Sequence, residues 1–140
     1  ASLIASERGL RVVEAKASRM DEFANLLALE IRSDGTMLTL QGTLSPRREP
    51  RIVKIDRYFV EAAPEGYMLI IKNQDKPGLI GQLGTLLGKS NINIAGMSNG
   101  RDEPGGTAIT VLNIDHHVPP KVLEQVRALR HVLDAKLITL

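Results

Sequence analysis

The chain has no cysteine and no tryptophan, and aromatic residues make up only 3% of its 140 residues. Without cysteine it has no disulfide, no thiolate metal site and no cysteine nucleophile, which suits a reducing compartment. With so few aromatics it has no stacking platform for single-stranded nucleic acid. No signal peptide is visible, and no run approaches the ~20 apolar residues of a membrane span. We therefore predict a cytoplasmic protein without a nucleic-acid or membrane partner.

Catalytic and metal-binding patterns are also missing. The histidines His116, His117 and His131 show neither the helical spacing nor the carboxylate neighbours of a metal site. No nucleophile stands with a base and an orienting partner, and no paired carboxylates appear. The dinucleotide fingerprint Gly-x-Gly-x-x-Gly is absent as well. The residues therefore predict a chain that is not an enzyme and that holds no metal or cofactor of its own.

Apolar residues amount to 43% of the chain, enough for a packed core, and their pattern divides it into two halves. The first half, residues 1–65, predicts a helix over "SLIASERG" and a strand over "LRVVEAKAS". Two hairpins follow. The strands "LLALEIR" and "MLTLQGTL" join at Asp34–Gly35, a strong two-residue turn signal, and "RIVKI" and "YFVEA" join at Asp56–Arg57. The turn-like joint "AAPEG" then leads into the second half, residues 66–140.

The second half alternates strands and helices. Strands are predicted over "YMLIIKN", "INIAGMSNGR", "TAITVLNID" and "HVLDAKLITL", and helices over "GLIGQLGTLLGKS" and "PPKVLEQVRAL". The order β-α-β-β-α-β is the ferredoxin-like split unit, in which right-handed crossovers place both helices on one face of the sheet. The remaining face and edge of so small a domain favour pairing with another copy. We therefore predict an α+β fold that forms homo-oligomers.

The first helix of this half ends in Gly88-Lys89-Ser90, which resembles the end of a phosphate-binding loop. Such a loop needs four residues between its glycines and leads into a helix, whereas three residues separate Gly84 from Gly88. Because a helix C-terminus disfavours anions, we predict that Gly88 is a C-cap with Lys89 on the negative end. Gly81 and Gly84 each cost the helix about 1 kcal/mol relative to alanine. Close approach of the helix to the sheet or to a ligand would explain them, and we predict packing on the sheet.

The turn "NQDKPG" lies between a strand and a helix and predicts an amino-acid site. Free backbone N–H groups at Gly78, Leu79 and Ile80 suit a carboxylate at the helix N-terminus. Asp75 is placed to accept an ammonium, and Asn93, expected beside the same corner, offers both a donor and an acceptor. The alternative is purely structural, with Asp75 as a cap-like residue and Asn93 as a buried side chain that holds the loop.

A basic cluster in the first half offers a second candidate site. It consists of Arg47, Arg48, Arg51, Lys54 and Arg57. Such a cluster suits a phosphate or an acidic metabolite, and Arg51 and Lys54 are the candidate anion ligands. The alternative is a solvated charged face.

The stretch "IIKNQDKPGLIGQLGTLLGKSNINIAGM" resembles the ACT domain, a small β-α-β-β-α-β module that binds amino acids and regulates metabolic enzymes. The Asp-Lys-Pro-Gly-Leu-Ile-Gly turn and the Asn-Ile-Asn-Ile-Ala strand carry the resemblance, which covers residues 67–140. The stretches "ASLIASERGLRVVEAK", "QGTL", "PRIVKID" and "VEAAPEGYML" resemble part of the α/β intervening, or allosteric substrate binding, domain of long-form D-3-phosphoglycerate dehydrogenases. That family oxidises 3-phosphoglycerate with NAD, the first step of L-serine synthesis.

The resemblance implies that the chain is the C-terminal regulatory region of such a dehydrogenase, without its catalytic and NAD-binding domains. It implies an incomplete intervening domain over residues 1–65, with part of its core bare or covered by another chain, and an ACT domain over residues 66–140. It also implies L-serine, or another small amino acid, as a feedback effector bound where two ACT domains pair. Two alternatives remain open at this stage: a structural dimerisation module without a ligand, and the ACT region of an L-serine dehydratase.

The resemblance also implies roles for individual residues. Asp75 and Asn93 match serine-binding positions of the ACT motif, and Asn73 matches a third, where family members carry His or Tyr. Backbone donors after Gly78 would come from Leu79 and Ile80. In the first half, Arg51 matches a basic position that binds phosphate or substrate in some relatives, whereas Phe59 and Ala63 stand where those relatives have His and Arg.

Overall fold

The computed structural model describes residue 13, residues 25–33 and residues 35–140. The predicted helix over residues 2–9 lies outside this part of the chain, as does nearly all of the predicted strand over residues 10–18. The described elements are β1 Leu26–Ser33, β2 Thr36–Leu44, β3 Pro50–Ile55, β4 Tyr58–Ala62, β5 Tyr67–Gln74, α1 Leu79–Lys89, β6 Ile94–Arg101, β7 Thr107–Ile114, α2 Pro120–Arg127 and β8 Val132–Thr139.

The first four strands form an antiparallel sheet in the order β1-β2-β3-β4, as the two predicted hairpins require. Gly35 takes the left-handed conformation (φ 77°) that the first turn needs. At the second turn, Asp56 is also left-handed (φ 51°). Its carboxylate accepts the Thr39 N–H at 3.0 Å, and its own N–H donates to the Thr39 carbonyl at 2.8 Å. The β3–β4 turn is therefore fastened to β2.

The last four strands form the second antiparallel sheet, in the order β6-β7-β5-β8. This is the ferredoxin-like arrangement, and it confirms the predicted α+β fold. Both helices pack on one face of this sheet, because inward residues of α1 and α2 share one apolar cluster with alternate residues of the strands. The buried members are Leu69, Ile71, Leu79, Leu83, Leu87, Ile92, Leu112, Ile114, Val118, Val126 and Ala135.

The first sheet of the same chain covers part of the opposite face of the second sheet. A second apolar cluster joins the two sheets, and its buried members are Ile52, Ile55, Tyr58, Val60, Ala62, Met68, Ile109 and Val111. The sequence predicts that another copy covers this face, whereas the first sheet of the same chain covers the part around Met68, Ile109 and Val111. Burial of apolar surface on both faces gives the second sheet a fuller core than a domain of this size has alone.

Strand β4 of the first sheet lies against β6 of the second sheet. A Cβ atom built on Gly100 would lie 2.2 Å from the Phe59 carbonyl oxygen, a distance that no side chain can occupy. Two residues earlier on β6, the Ser98 hydroxyl accepts the Glu61 N–H at 2.8 Å. Glycine at position 100 is therefore a requirement of the contact between the sheets.

The first sheet does not cover all of its own apolar face. Five large apolar side chains on one face of β1 and β2 are exposed by between 43% and 65%: Leu27, Leu29, Ile31, Leu38 and Leu44. Met37, on the opposite face, is 57% exposed. No helix in the described part of the chain is long and apolar enough to cross a membrane.

Helix α1 ends where the sequence predicts, but glycine does not cap it. The Ser90 hydroxyl donates to the Leu86 carbonyl at 3.0 Å, and Asn91 is the left-handed residue (φ 56°) that turns the chain. The prediction that Gly81 and Gly84 pack closely on the sheet is also wrong. A Cβ atom at either position would meet nothing within 4 Å among the described residues. The outer face of α1 is therefore bare.

We predict that Gly100→Ala destabilises the chain by about 1–3 kcal/mol, the usual cost of forcing an atom into filled space. Urea unfolding monitored by circular dichroism measures this loss. Gly96→Ala, on the same strand, is the matched control, because its Cβ atom would meet Asn113 at an ordinary 3.7 Å. Equal free energies of unfolding for the two variants would show that β4 does not lie against Gly100 of β6 as described.

Candidate functional site

The turn between β5 and α1 leaves backbone donors free at the start of the helix. Gly78 is the N-cap, with φ 90° and no capping side chain. The Leu79 N–H reaches the Lys76 carbonyl only at 3.5 Å, and the N–H groups of Ile80 and Gly81 have no acceptor among the described residues. Unpaired donors and the positive end of the helix dipole favour an anion at this position. The predicted carboxylate position is therefore available.

Asp75 is held in this turn by groups from the β6–β7 connection. Its Oδ2 accepts hydrogen bonds from Arg101 Nη1 at 2.9 Å and from the Gly105 N–H at 3.3 Å. Its backbone N–H donates to the Gly106 carbonyl at 2.8 Å. The Arg101 hydrogen bond, followed by that from Gly105, lowers the pKa of Asp75 below its ordinary value. Asp75 is therefore an ionised carboxylate at neutral pH, and the alternative in which it caps α1 is wrong.

Asn73 lies under the same turn in a buried polar group. Its Oδ1 is 3.0 Å from the Thr110 hydroxyl, which is also 2.9 Å from the Asn99 side-chain oxygen. One hydroxyl hydrogen serves only one acceptor. Because Asn73 Nδ2 donates to the Gln74 carbonyl at 2.9 Å, the orientation of Asn73 is fixed. Asn99 is then the amide that presents its nitrogen to Thr110.

Asn93 lies at the opposite end of the sheet from Asp75. It precedes Ile94, which pairs with Ile114 on β7 next to Tyr67, whereas Asp75 follows Gln74 at the other end of β5. The eight residues of β6 span about 27 Å. The Asn93 side chain is exposed and donates to Asp115 Oδ2 at 2.8 Å.

The sequence predicts Asp75 and Asn93 at one corner, and within a single chain this is wrong. Helix α1 runs antiparallel to β5, so the chain returns to the far end of the sheet before β6 begins. The structure brings together Asn73, Asp75, Gly78, Leu79 and Ile80 and leaves Asn93 apart.

Arg101, Gly105, Asn99 and Thr110 are the site residues that sequence reasoning missed. A cation at the end of a strand, directly before the turn "DEPGG", was the available signal for Arg101. The pairing of Arg101 with Ala108 places it at the Asp75 end of the sheet, which the strand order alone predicts.

Two known domain families match the chain. The ACT domain model matches residues 67–131, and the D-3-phosphoglycerate dehydrogenase intervening domain model matches residues 1–56. The chain carries an intervening-domain segment followed by an ACT domain. The intervening-domain match ends before the predicted boundary between residues 65 and 66, and the ACT match begins after it.

The curated relatives are D-3-phosphoglycerate dehydrogenases. Those of Archaeoglobus fulgidus, Methanocaldococcus jannaschii and Bacillus subtilis are 41%, 37% and 34% identical over 139, 140 and 137 residues. The matches cover 98%, 100% and 98% of this chain and 26% of each relative. The chain thus spans about a quarter of the length of these relatives, in their intervening and ACT domains rather than their catalytic part.

The two candidate cations of the intervening segment do not converge. Arg51 pairs with Glu49 at 2.8 Å and lines a cleft between β4 and β6 together with Glu61 and Glu65. Lys54 Nζ lies 5.0 Å from the centre of the Phe59 ring. The two carboxylates make this cleft unfavourable for an anion, and the anion site stays a prediction.

We predict that Asp75→Asn lowers stability at neutral pH and has no effect in acid. The lowered folded pKa means that ionised Asp75 contributes its full stability above the ordinary value of 3.8 and loses it as pH falls through the folded value. Urea unfolding of both proteins across this range measures the difference. A difference that is constant with pH would contradict an ionic role for Asp75.

We predict that Thr110→Val costs about 1–3 kcal/mol, because it leaves the buried amide oxygen of Asn73 without its hydroxyl partner. Thr110→Ser keeps the hydroxyl and is the matched control. Thermal unfolding of the three proteins tests this. A valine variant as stable as the wild type, with a loss in the serine variant alone, would show that packing of the methyl group, rather than the polar group, matters.

Proposed function

We propose that this ACT domain binds L-serine, or another small amino acid, between two copies of the chain that pair along β6. The observation that carries the proposal is the position of the two candidate ligand residues at opposite ends of an edge strand. When two edge strands pair antiparallel about a two-fold axis, the end of one meets the beginning of the other. Asp75 of one chain then lies near Asn93 of its partner, and each pair contains two equivalent sites.

The β6 edge is open to such pairing. Among the described strands, β6 pairs with β7 on one side only. Strand β4 contacts Ser98 and Gly100 from the face of the sheet, which leaves the outer edge of β6 unpaired. Met97, at the middle of this edge, is 52% exposed. An unpaired edge strand with an exposed apolar side chain supports association with a second copy.

The bare face of α1 also supports a paired arrangement. A Cβ atom at Gly81, Gly84 or Gly88 would meet nothing within 4 Å in the described part of the chain, and Ile80 is 41% exposed in the first turn of the helix. Glycine permits close approach of another backbone. A partner chain would give these costly helical glycines a function that the single chain does not.

The chemical roles follow from the groups at the turn. The N–H groups of Ile80 and Gly81 would bind the ligand carboxylate at the positive end of α1. The ionised Asp75 would bind the ammonium, and the amide of the partner chain's Asn93 would bind the remaining polar atoms. Asn73 is almost fully buried with its amide occupied, so we assign it to support of the turn rather than to ligand contact.

In a longer chain with the domains of its relatives, binding at this site would regulate an NAD-dependent D-3-phosphoglycerate dehydrogenase by feedback. Such regulation requires the amino acid to prefer one arrangement of the domains over another. The intervening-domain match favours this context over an L-serine dehydratase. A second candidate is a pairing module that binds no ligand. The ion pair between Asp75 and Arg101 favours this candidate, because a ligand ammonium must compete with Arg101 for the Asp75 carboxylate.

We predict that isothermal titration of the 140-residue chain with L-serine gives a saturable heat. Loss of a hydrogen bond to a charged group costs about 1.5–3 kcal/mol, so Asp75→Ala and Asn93→Ala should each weaken binding about tenfold or more. Gln125→Ala, an exposed amide on α2, is the matched control. A dimer by light scattering that gives no heat at millimolar serine would support the ligand-free pairing module instead.

A further inference from the structure

The turn between β6 and β7, residues 102–106, is bonded on one side to the proposed amino-acid site. The Gly105 N–H donates to Asp75 Oδ2, and the Gly106 carbonyl accepts the Asp75 N–H. Both Asp75 bonds to this turn therefore depend on where the turn lies. A shift of the turn changes the position of the carboxylate that would receive the ligand ammonium.

The same turn is bonded on its other side to the intervening segment. Arg57, in the β3–β4 turn, lies with its Nη2 2.6 Å from Asp102 Oδ2 and 2.9 Å from the Thr107 hydroxyl. The Thr107 hydroxyl is 2.7 Å from the hydroxyl of Tyr58 and donates to Asp102 Oδ2 at 3.0 Å. Tyr58 is buried in the cluster that joins the two sheets. Four polar groups from both halves of the chain thus meet at one point.

The connection between these two sides is short and stiff. The Asp102 N–H donates to the Thr107 carbonyl at 3.3 Å, and the Gly106 N–H donates to the Glu103 carbonyl at 3.1 Å. A Cβ atom on Gly106 would lie 2.9 Å from Glu103 Cγ, so the turn is also closely packed on itself. A turn that is bonded internally and fixed at both ends moves as a unit.

We propose that Arg57, which lies outside the ACT domain, is a positioning residue for the amino-acid site and acts on Asp75 through the 102–106 turn. Its effect on ligand affinity rests on the proposed function, whereas its effect on Asp75 does not. Linkage makes the effect reciprocal: an amino acid bound at Asp75 strengthens the Arg57–Asp102 contact as much as that contact strengthens binding. The intervening segment would sense the ligand by this route.

The contact is partly open to solvent, which gives it a measurable dependence on salt. The side chains of Arg57 and Asp102 are 65% and 28% exposed. Ion pairs at such positions are screened by added salt. The influence of Arg57 on the site should therefore decline as the salt concentration rises.

Nuclear magnetic resonance of the ligand-free chain tests the positioning role directly. We expect Arg57→Gln to shift the amide resonances of Gly105, Gly106 and Asp75 and to change the titration of the Asp75 carboxyl. Arg47→Gln is the matched control, because Arg47 makes no ion pair or side-chain hydrogen bond among the described residues. Arg57→Lys keeps the charge and should restore part of the wild-type spectrum. Unchanged Gly105 and Asp75 resonances in a folded Arg57→Gln protein would overturn the proposal.

Titration calorimetry with L-serine tests the consequence for binding. Couplings between sites commonly change affinity about fivefold or more, and we expect losses of this size for Arg57→Gln and for Asp102→Asn. The double variant should bind no more weakly than either single variant, because each substitution already removes the same contact, that between Arg57 and Asp102. Additive losses would overturn the shared route through Asp102. A wild-type chain that binds no amino acid would refute the proposed function instead, and the resonance measurement would still decide the role of Arg57.

Discussion

Helix α1 must carry the chain from one end of the sheet to the other before β6 can begin, and this constraint determines where the ligand groups lie. Asp75 and the start of α1 stand at one end of the sheet, and Asn93 stands at the other. Because β6 is an edge strand, it can pair with β6 of a second chain. Only such a contact between two chains would bring the Asp75 end of one sheet to the Asn93 end of the other. The proposed two-chain site therefore rests on the connection of the fold and not on a preference of individual side chains.

The apolar contact between the two sheets has a different consequence. It covers the part of the ACT sheet face that Met68, Ile109 and Val111 form opposite the helices. The same contact brings the β3–β4 turn of the intervening segment against the β6–β7 turn of the ACT domain, where Arg57 meets Asp102 and Thr107. Burial of apolar surface between the sheets thus brings Arg57 into contact with Asp102 and Thr107.

The sequence was sufficient for the fold of the described region because its patterns are local. Alternation in the strands, the Asp34–Gly35 turn and the helical spacing from Leu79 to Leu87 each depend on a few neighbouring residues. The family resemblance added the site residues at the β5–α1 turn. The pairing of Asp75 with Arg101 was not predictable from either, because these residues are 26 positions apart and meet only when the strand order is known.

Two errors at α1 have the same origin. Glycine was expected to cap the helix and to pack on the sheet, yet Asn91 takes the left-handed position and the helical glycines face away from the described chain. Glycine is the residue most often found at the C-terminus of a helix. This preference takes no account of a partner chain that packs on the helix. Residues that contradict their local preference are often functional, and here they lie on the helix that borders the proposed ligand site.

Mixing two defective chains tests the two-chain site most directly. Asp75→Ala and Asn93→Ala each disable both sites in their own pairs, whereas a mixed pair contains one site with Asp75 and Asn93 intact and one site that lacks both. After the two variants exchange subunits, L-serine binding with wild-type affinity should reappear in the mixture, although each variant alone binds at least about tenfold more weakly. If the mixture binds no better than its components while mixed pairs are shown to form, then Asp75 and Asn93 do not act across a chain interface, and the proposed site is wrong.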